Sequence, residues 1–348
     1  MEDILNYKVE NESITILGFK KNKSERSIKI PDFIENKPVT QIAKEAFKSF
    51  TTLRNIEFCN NLQYIGDYAF YNSGLESVII KPNIQHVGES CFEHCQALKN
   101  VQWMSPAARI SDLCFEQCNN LQSFDFSNVL KIGQAAFANS GLKAIKLEKN
   151  IESVGTHAFY ECNLLSEVIW LCDCAVPSNC FNMNRQLSTF DFQHVPQIEK
   201  MAFAETGLTN IVLGRNILHI SSYAFYNCKH LSQVDWQCKS SRIYPHCFEG
   251  CTSLESFDFS SVREVGSSAF SYSGLKTVAL ETNIKKVERA VFKGCDQLET
   301  VYWNCDADIR GNTFRKCGKL KTVEISDKVK NIETTAFNVC NKIEISFI

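Results

Sequence analysis

Residues 65–80, IGDYAFYNSGLESVII, and residues 132–147, IGQAAFANSGLKAIKL, are near copies of one short pattern. The pattern extends along the chain, because a Phe recurs at intervals of 22 or 23 residues, at Phe47, Phe70, Phe92, Phe115, Phe137, Phe159, Phe181, Phe203, Phe225, Phe248, Phe270, Phe292, Phe314 and Phe337. Ala or Cys precedes most of these residues, which indicates a slot of small volume. Self-similarity at a fixed period is typical of repeat architectures. The chain is therefore predicted to be a one-dimensional solenoid rather than several globular domains.

Each repeat also contains a short alternating segment. An apolar anchor follows each Phe after five or six residues, and further apolar residues follow the anchor at offsets of three and five, as in Leu121, Phe124 and Phe126. A polar residue, here Asp125, lies between the last two. Alternation with a period of two predicts a short strand with one buried face. Because one such unit cannot bury its own apolar face, stacked copies are predicted to share a continuous core.

A longer period is superimposed on the first. The four tryptophans lie 66 or 67 residues apart, which is three repeats, at Trp103, Trp170, Trp236 and Trp303. The FDF segments that begin at residues 124, 190 and 257 follow the same spacing. Duplication of a three-repeat block explains both series.

The consensus, roughly I-G-x-x-A-F-x-x-C-x-x-L-x-x-V-x-I, resembles the BspA-like, treponemal-type leucine-rich repeat of bacteria and some protozoan parasites. The segments ITILGFKK (residues 14–21) and SIKIPDFIENKPVTQIAKEAF (residues 27–47) resemble the N-terminal cap of that family. The fold class expected is a leucine-rich-repeat solenoid, a right-handed coil of about fourteen repeats of 22 or 23 residues. It would have one parallel β-sheet on its strand face and short turns or 3-10 segments opposite. Residues 1–40 are expected to form the cap hairpin and lead into the first repeat, and residues 41–348 a single continuous solenoid domain.

Charge and motifs exclude several classes of function. The formal net charge of −2 provides no general attraction to nucleic acid. The sequence contains no run of 18 apolar residues of the kind that predicts membrane insertion. The chain begins MEDILNYKVE, without the basic and apolar segments of a secretion signal. None of the seven histidines lies in a metal-ligand motif, and no nucleophile elbow or phosphate loop occurs. The protein is expected to be no enzyme and to hold no cofactor or metal.

The 17 cysteines are predicted to be structural. Eight of them lie three residues after the repeat Phe, where other repeats have residues such as Ser73 or Thr206. Pairs such as Cys91 and Cys95 have a spacing that arises from two repeat positions, which argues against zinc. An odd number of cysteines and the missing signal favour a reducing, cytoplasmic compartment. The family resemblance also allows the cell surface by a non-classical route.

Partner binding is expected along the strand face, because outward side chains there form a regular array. Acidic candidates occupy the central outward position in six repeats, namely Glu57, Asp125, Asp191, Asp235, Asp258 and Glu324. Other repeats have apolar residues or a lysine there, namely Ile79, Lys146, Ile169, Val212 and Tyr302. The alternative is that the acids were copied by duplication and only keep the sheet soluble.

Two functional hypotheses follow from these residues and from the resemblance. The resemblance implies a surface or adhesion-type protein that binds a host matrix or cell-surface protein. The alternative is an intracellular scaffold that docks cytosolic proteins. Both require protein partners and neither requires catalysis.

Overall fold

The computed structural model describes residues 4–20, 25–105 and 109–348, which form about fourteen solenoid turns. The predicted fold class is confirmed, since the turns stack through parallel sheets and no α-helix occurs among these residues. Residues 1–3 and 21–24 of the expected cap lie outside the described residues. The chain divides into two units, residues 1–172 (unit 1) and residues 173–348 (unit 2).

The described part of unit 1 contains fifteen strands. Its strand face consists of β3 (Ser27–Lys29), β6 (Asn55–Glu57), β8 (Ser77–Ile80), β10 (Asn100–Trp103), β13 (Ala144–Leu147) and β15 (Glu167–Trp170), in two parallel sheets of order β10-β8-β6-β3 and β13-β15. The remaining strands are β1 (Leu5–Glu10), β2 (Ser13–Phe19), β4 (Phe33–Ile34), β5 (Lys37–Ile42), β7 (Tyr64–Ile65), β9 (His86–Val87), β11 (Arg109–Ile110), β12 (Lys131–Ile132) and β14 (Ser153–Val154). Strands β1 and β2 form an antiparallel hairpin, and β2, β5, β7 and β9 continue its sheet in parallel.

Unit 2 repeats this arrangement with eleven strands. The strand face consists of β17 (Asn210–Leu213), β19 (Gln233–Trp236), β22 (Thr277–Leu280), β24 (Thr300–Trp303), β25 (Thr322–Ile325) and β26 (Glu344–Phe347), in sheets of order β17-β19 and β22-β24-β25-β26. The shorter strands are β16 (Gln197–Ile198), β18 (His219–Ile220), β20 (Arg242–Ile243), β21 (Glu264–Val265) and β23 (Lys286–Val287). In both units the parallel register aligns equivalent repeat positions, as in Val301 with Val278 and Val323.

The strand face differs from the single sheet expected, because the FDF segments are not strands. In each of them the aspartate accepts a hydrogen bond from the backbone amide two residues later. The Oδ1–N distances are 2.9 Å for Asp125 and Ser127, 2.9 Å for Asp191 and Gln193, and 2.8 Å for Asp258 and Ser260. A side chain that bonds its own backbone competes with the ladder between strands. The sheet is therefore interrupted at Asp125 in unit 1 and at Asp258 in unit 2, where Asp191 precedes the first strand of the face.

The side away from the strand face also differs from expectation. Two-residue parallel strands, such as β7 and β9 in unit 1 or β20 and β21 in unit 2, replace part of the expected turns. We call this set the second strand row. It ends in a turn around the repeat Phe, in which the residues two before and two after the Phe have positive φ, as Tyr68 (56°) and Asn72 (52°) do around Phe70. The amides of Tyr68, Phe70 and Asn72 all donate to carbonyls of the next coil.

The repeat phenylalanines form the core of each unit. Consecutive rings stack with centroids 5.3–5.8 Å apart in unit 1, from Phe47 to Phe159. In unit 2 the separations are 5.2–6.0 Å, from Phe181 to Phe337. These separations lie in the range of favourable offset-stacked pairs. Every ring from Phe47 to Phe314 in this series is buried.

The cysteine column has a specific bonding role. Its eight thiols donate to the carbonyl of the Phe one coil earlier, with Sγ–O distances of 2.9–3.2 Å, namely Cys95, Cys118, Cys162, Cys228, Cys251, Cys295, Cys317 and Cys340. These eight cysteines are free thiols in the structure. Burial raises the pKa of Cys95, Cys162 and Cys228 to about 11. The protonated thiol is the form that can donate this bond, so the column depends on reduced, neutral cysteines.

We expect stability to fall at alkaline pH because of these thiols. A pKa raised from 9.0 to about 11 means that the folded state keeps protons that the unfolded chain releases. The contribution is complete below about pH 9 and is lost as the pH rises towards about 11. Urea unfolding with reductant at several pH values measures it. A triple variant, Cys95→Ser, Cys162→Ser and Cys228→Ser, is the control for other titrating groups and should lose less stability over this range. Identical pH profiles for both proteins would contradict the assignment.

We expect the FDF aspartates to stabilise the fold through their acceptor oxygen rather than through charge. Asp258→Ala removes the acceptor for the Ser260 amide and should lower the free energy of unfolding by about 1 kcal/mol. Asp258→Asn keeps an oxygen acceptor and should lie within about 0.5 kcal/mol of the wild type. Asp235→Ala is the control, since the Asp235 carboxylate accepts the Gln237 side chain and no backbone amide. Equal unfolding midpoints for all three variants in urea would show that the turn does not depend on the acceptor.

Candidate functional site

The strand face presents the central residue of each long strand to solvent. In β8 the side chains of Val78 and Ile80 are buried, whereas Ile79 between them is 44% exposed. In β17 the same alternation leaves Val212 59% exposed between Ile211 and Leu213. Strand pleating imposes this arrangement, because successive side chains point to opposite faces. The outward positions are therefore held by the core without taking part in it.

In unit 1 the predicted residues are exposed but only partly free. Glu57 in β6 pairs with Lys29 in β3, with Nζ and Oε1 2.7 Å apart. Lys146 in β13 pairs with Glu148 at 2.6 Å, and its register partner in β15 is Ile169, which is exposed. Asp125 is exposed in its FDF turn and is not part of a sheet. The structure thus brings Lys146 and Ile169 together and leaves Asp125 apart.

In unit 2 four of the six predicted residues form two pairs. Val212 lies opposite Asp235 in the register of β17 and β19, and both are exposed. Tyr302, 37% exposed, lies opposite Glu324 in β24 and β25, where Glu324 is half-buried.

Asp191 and Asp258 lie outside the sheets of unit 2, in FDF turns. Their carboxylates accept backbone amides, as described above. This bond is a structural role that the sequence pattern does not indicate. A charge reversal there would remove an acceptor as well as change the surface.

Sequence reasoning missed a second array of exposed side chains, on the second strand row of unit 1. The rings of Tyr64 and His86 stack there with centroids 4.4 Å apart and an interplanar angle of 8°. They are register partners in β7 and β9. The signal in the sequence is weak, because each two-residue strand is too short to show alternation.

The described residues offer little chemistry that would point to catalysis or metal binding. No group of three or more His, Cys, Asp or Glu side chains in this part of the chain is placed to hold a metal ion. The thiols with resolved pKa shifts have raised values because of burial, which disfavours the reactive thiolate. No helix within residues 4–20, 25–105 and 109–348 is long and apolar enough to cross a bilayer.

Comparison with known proteins places the chain in a family. The family described as BspA type leucine rich repeat region matches residues 12–140, 108–232, 174–299 and 218–345. A leucine-rich repeat protein from Bacteroides ovatus has a similar solved structure, with a TM-score of 0.66, 19% identity, and coverage of 99% of this chain and 98% of that chain.

Two other solved structures match over most of their length. The pneumococcal vaccine antigen PcpA has a TM-score of 0.49 and 18% identity, over 96% of this chain and 88% of that chain. A leucine rich cell surface protein from Faecalibacterium prausnitzii has a TM-score of 0.45 and 18% identity, over 95% and 93%. At such identities the likeness concerns the fold alone, and no curated protein matches the chain.

The family matches together extend over nearly all of the chain. Leucine-rich-repeat families of this kind are typically non-enzymatic and bind proteins. The chain belongs to the BspA-type leucine-rich-repeat family.

Proposed function

We propose that this protein is a non-enzymatic recognition module that binds another protein through its strand face. The observation that carries the proposal is the exposure of apolar side chains at central outward positions, above all Val212 and Tyr302 in unit 2 and Ile79 in unit 1. Exposed apolar residues that recur at one position of a rigid array mark interaction surfaces. Family membership supports a protein partner.

The chemistry beside these residues fits the anatomy of a protein interface. Asp235 flanks Val212 and Glu324 flanks Tyr302 on the adjacent strands. An apolar or aromatic centre with a charged rim is typical of interfaces, and Tyr is enriched among residues that contribute most to affinity. The carboxylates of unit 2 would favour a partner with basic groups around an apolar contact.

Rigidity supports the same conclusion. The backbone of the strand face is held by register pairs on both sides in β24, and the opposite faces of the strands are buried. Side chains on such a scaffold lose little backbone entropy when a partner binds. Recognition by preformed strands is therefore favoured over recognition by a loop that must become ordered.

The family resemblance supports an adhesion-type role, in which the partner is a host matrix or cell-surface protein. A second candidate is an intracellular scaffold that docks cytosolic proteins. One observation favours it, namely the column of thiols that donate hydrogen bonds and so require reduced cysteine. The identity and compartment of the partner discriminate between the two roles.

The test is a capture experiment with matched variants. The wild-type chain is presented to purified extracellular matrix proteins and to lysate of cells that produce it, and captured proteins are identified by mass spectrometry. Binding of the purified partner is then measured for Val212→Arg, on the strand face, and Leu218→Arg, which is similarly exposed (54%) but lies off that face. Ile79→Arg and Leu164→Arg (48% exposed) form the corresponding pair in unit 1.

We expect at least one strand-face variant to weaken binding at least about tenfold, equivalent to about 1.4 kcal/mol. The control variants should remain within about twofold of the wild type, since they change charge and exposure equally but not the interface. Circular dichroism of all four variants verifies the fold. Binding that survives both strand-face variants, or that is lost equally in the controls, would contradict the proposal.

A further inference from the structure

A groove on the second strand row of unit 1 is lined by neutral polar and aromatic side chains. It has a volume of about 440 Å³, and its side chains include Thr40, Gln41, Gln63, Tyr64, Gln85 and His86. Among the described residues, no Asp, Glu, Lys or Arg lines it, although these types make up 22% of the chain. We call this surface the amide groove.

The glutamine side chains of the amide groove have no hydrogen-bond partner among the described residues. The side chains of Gln41, Gln63 and Gln85 are exposed and form no hydrogen bond with the described residues. A primary amide offers two donors and an acceptor with two lone pairs. Three such groups beside one another can therefore bind a ligand that both donates and accepts.

An aromatic surface lies beside the amides. The His86 ring stacks on the Tyr64 ring at 4.4 Å, yet Tyr64 remains 39% exposed at the groove. Gln41, Tyr64 and His86 are consecutive register partners in β5, β7 and β9. Neighbouring strands repeat at about 4.8 Å, which is close to the length that one pyranose ring adds to an oligosaccharide chain.

The fold itself does not require this composition. In unit 2 the equivalent row carries Arg242, Glu264 and Lys286, and these residues form ion pairs. The Arg242 guanidinium lies 3.7 Å from Glu264 and 3.3 Å from Glu288. The second strand row therefore forms with paired charges in unit 2 and with neutral amides in unit 1. Folding alone does not explain the amides or the exposed ring pair of unit 1.

We propose that the amide groove binds a neutral saccharide. The apolar C–H face of a pyranose packs against the Tyr64 ring, and its hydroxyl groups exchange hydrogen bonds with the glutamine amides. Within the amide groove itself, the described residues offer no cation to a polyanion and no carboxylate to a peptide with basic groups. A neutral polyhydroxylated ligand satisfies the amides without leaving a charge unpaired.

A second groove extends the site along the row. It has a volume of about 470 Å³ and shares Tyr64, Gln85 and His86 with the amide groove. Asp67, Glu89 and Arg109 also line it. The Asp67 carboxylate accepts the Glu89 amide and the Arg109 guanidinium lies 3.5 Å from Asp112, so these two charges have partners in the chain. The carboxylate oxygens can accept further bonds from hydroxyl groups. The two grooves meet at the ring pair, so the ligand is inferred to be an oligosaccharide rather than a single sugar. The inference is independent of the strand-face proposal, since none of these residues lies on the strand face.

The test uses an array of neutral oligosaccharides built from hexoses, N-acetylhexosamines and deoxyhexoses, with sialylated and sulfated chains as the anionic arm. The full chain is applied as wild type, Tyr64→Ala, Gln63→Ala and the control Tyr302→Ala, an exposed tyrosine of the strand face. Saturation-transfer NMR then measures binding of the strongest neutral oligosaccharide in solution. Circular dichroism verifies that each variant is folded.

We expect the wild type and Tyr302→Ala to bind at least one neutral oligosaccharide equally. Tyr64→Ala and Gln63→Ala should each weaken that binding at least about tenfold, because each removes a direct contact. Binding confined to anionic chains, no binding on the array, or neutral binding unchanged in both groove variants would each overturn the proposal. Loss of a captured protein partner through Tyr64→Ala would also overturn it in favour of a protein site.

Discussion

The structure depends on the left-handed turn that brackets each repeat Phe. Two residues of nearly every coil adopt positive φ, and most of them are not glycine. A non-glycine residue in this region costs about 1–2 kcal/mol. The turn directs the amides at the Phe and at the positions two before and two after it towards the next coil, so that one coil donates and its neighbour accepts, as Phe203 does to Ala224 and Phe225 to Cys247. A single coil would have the strain without these bonds, so only the stack is stable.

The same turn aligns the buried side chains of successive coils, so that the outward side chains are not needed for stability. It holds consecutive Phe rings in stacked contact and places the cysteine thiols against the preceding Phe carbonyls. Because these inward positions carry the stability, outward positions on both strand rows can vary without loss of the fold. We propose that the apolar residues of the strand face and the amide groove of the second strand row are two binding surfaces built from such outward positions. Sites on a repeat scaffold thus follow from side chains that the core does not need.

Most of the core could be predicted from the sequence, and its departures have identifiable causes. The Phe, Leu and Cys columns recur at a fixed period, and their residues are buried as expected as far as Leu320, whereas Phe337 and Cys340 in the last coil are half-buried. The missing strands at Asp125, Asp191 and Asp258 could not be predicted from alternation. The same apolar–polar–apolar sequence occurs in a strand and in a turn whose aspartate accepts a bond from its own backbone. The second strand row was missed because two residues cannot show a period. On the strand face, the outward placement of Ile79, Val212 and Tyr302 was predicted. The Tyr64–His86 stack was not, because it joins residues 22 positions apart at a repeat position whose residue type varies.

We propose that recognition uses the strand face. Hydroxyl-radical footprinting of the chain alone and in complex with its captured protein partner tests it most directly, because the label reports side-chain exposure at single residues. The account predicts protection of Ile79 or of Val212 and Tyr302, with labelling of Leu164 and Leu218 unchanged. Protection confined to Leu164, Leu218 or the second strand row, with the strand face labelled as in the free chain, would contradict it.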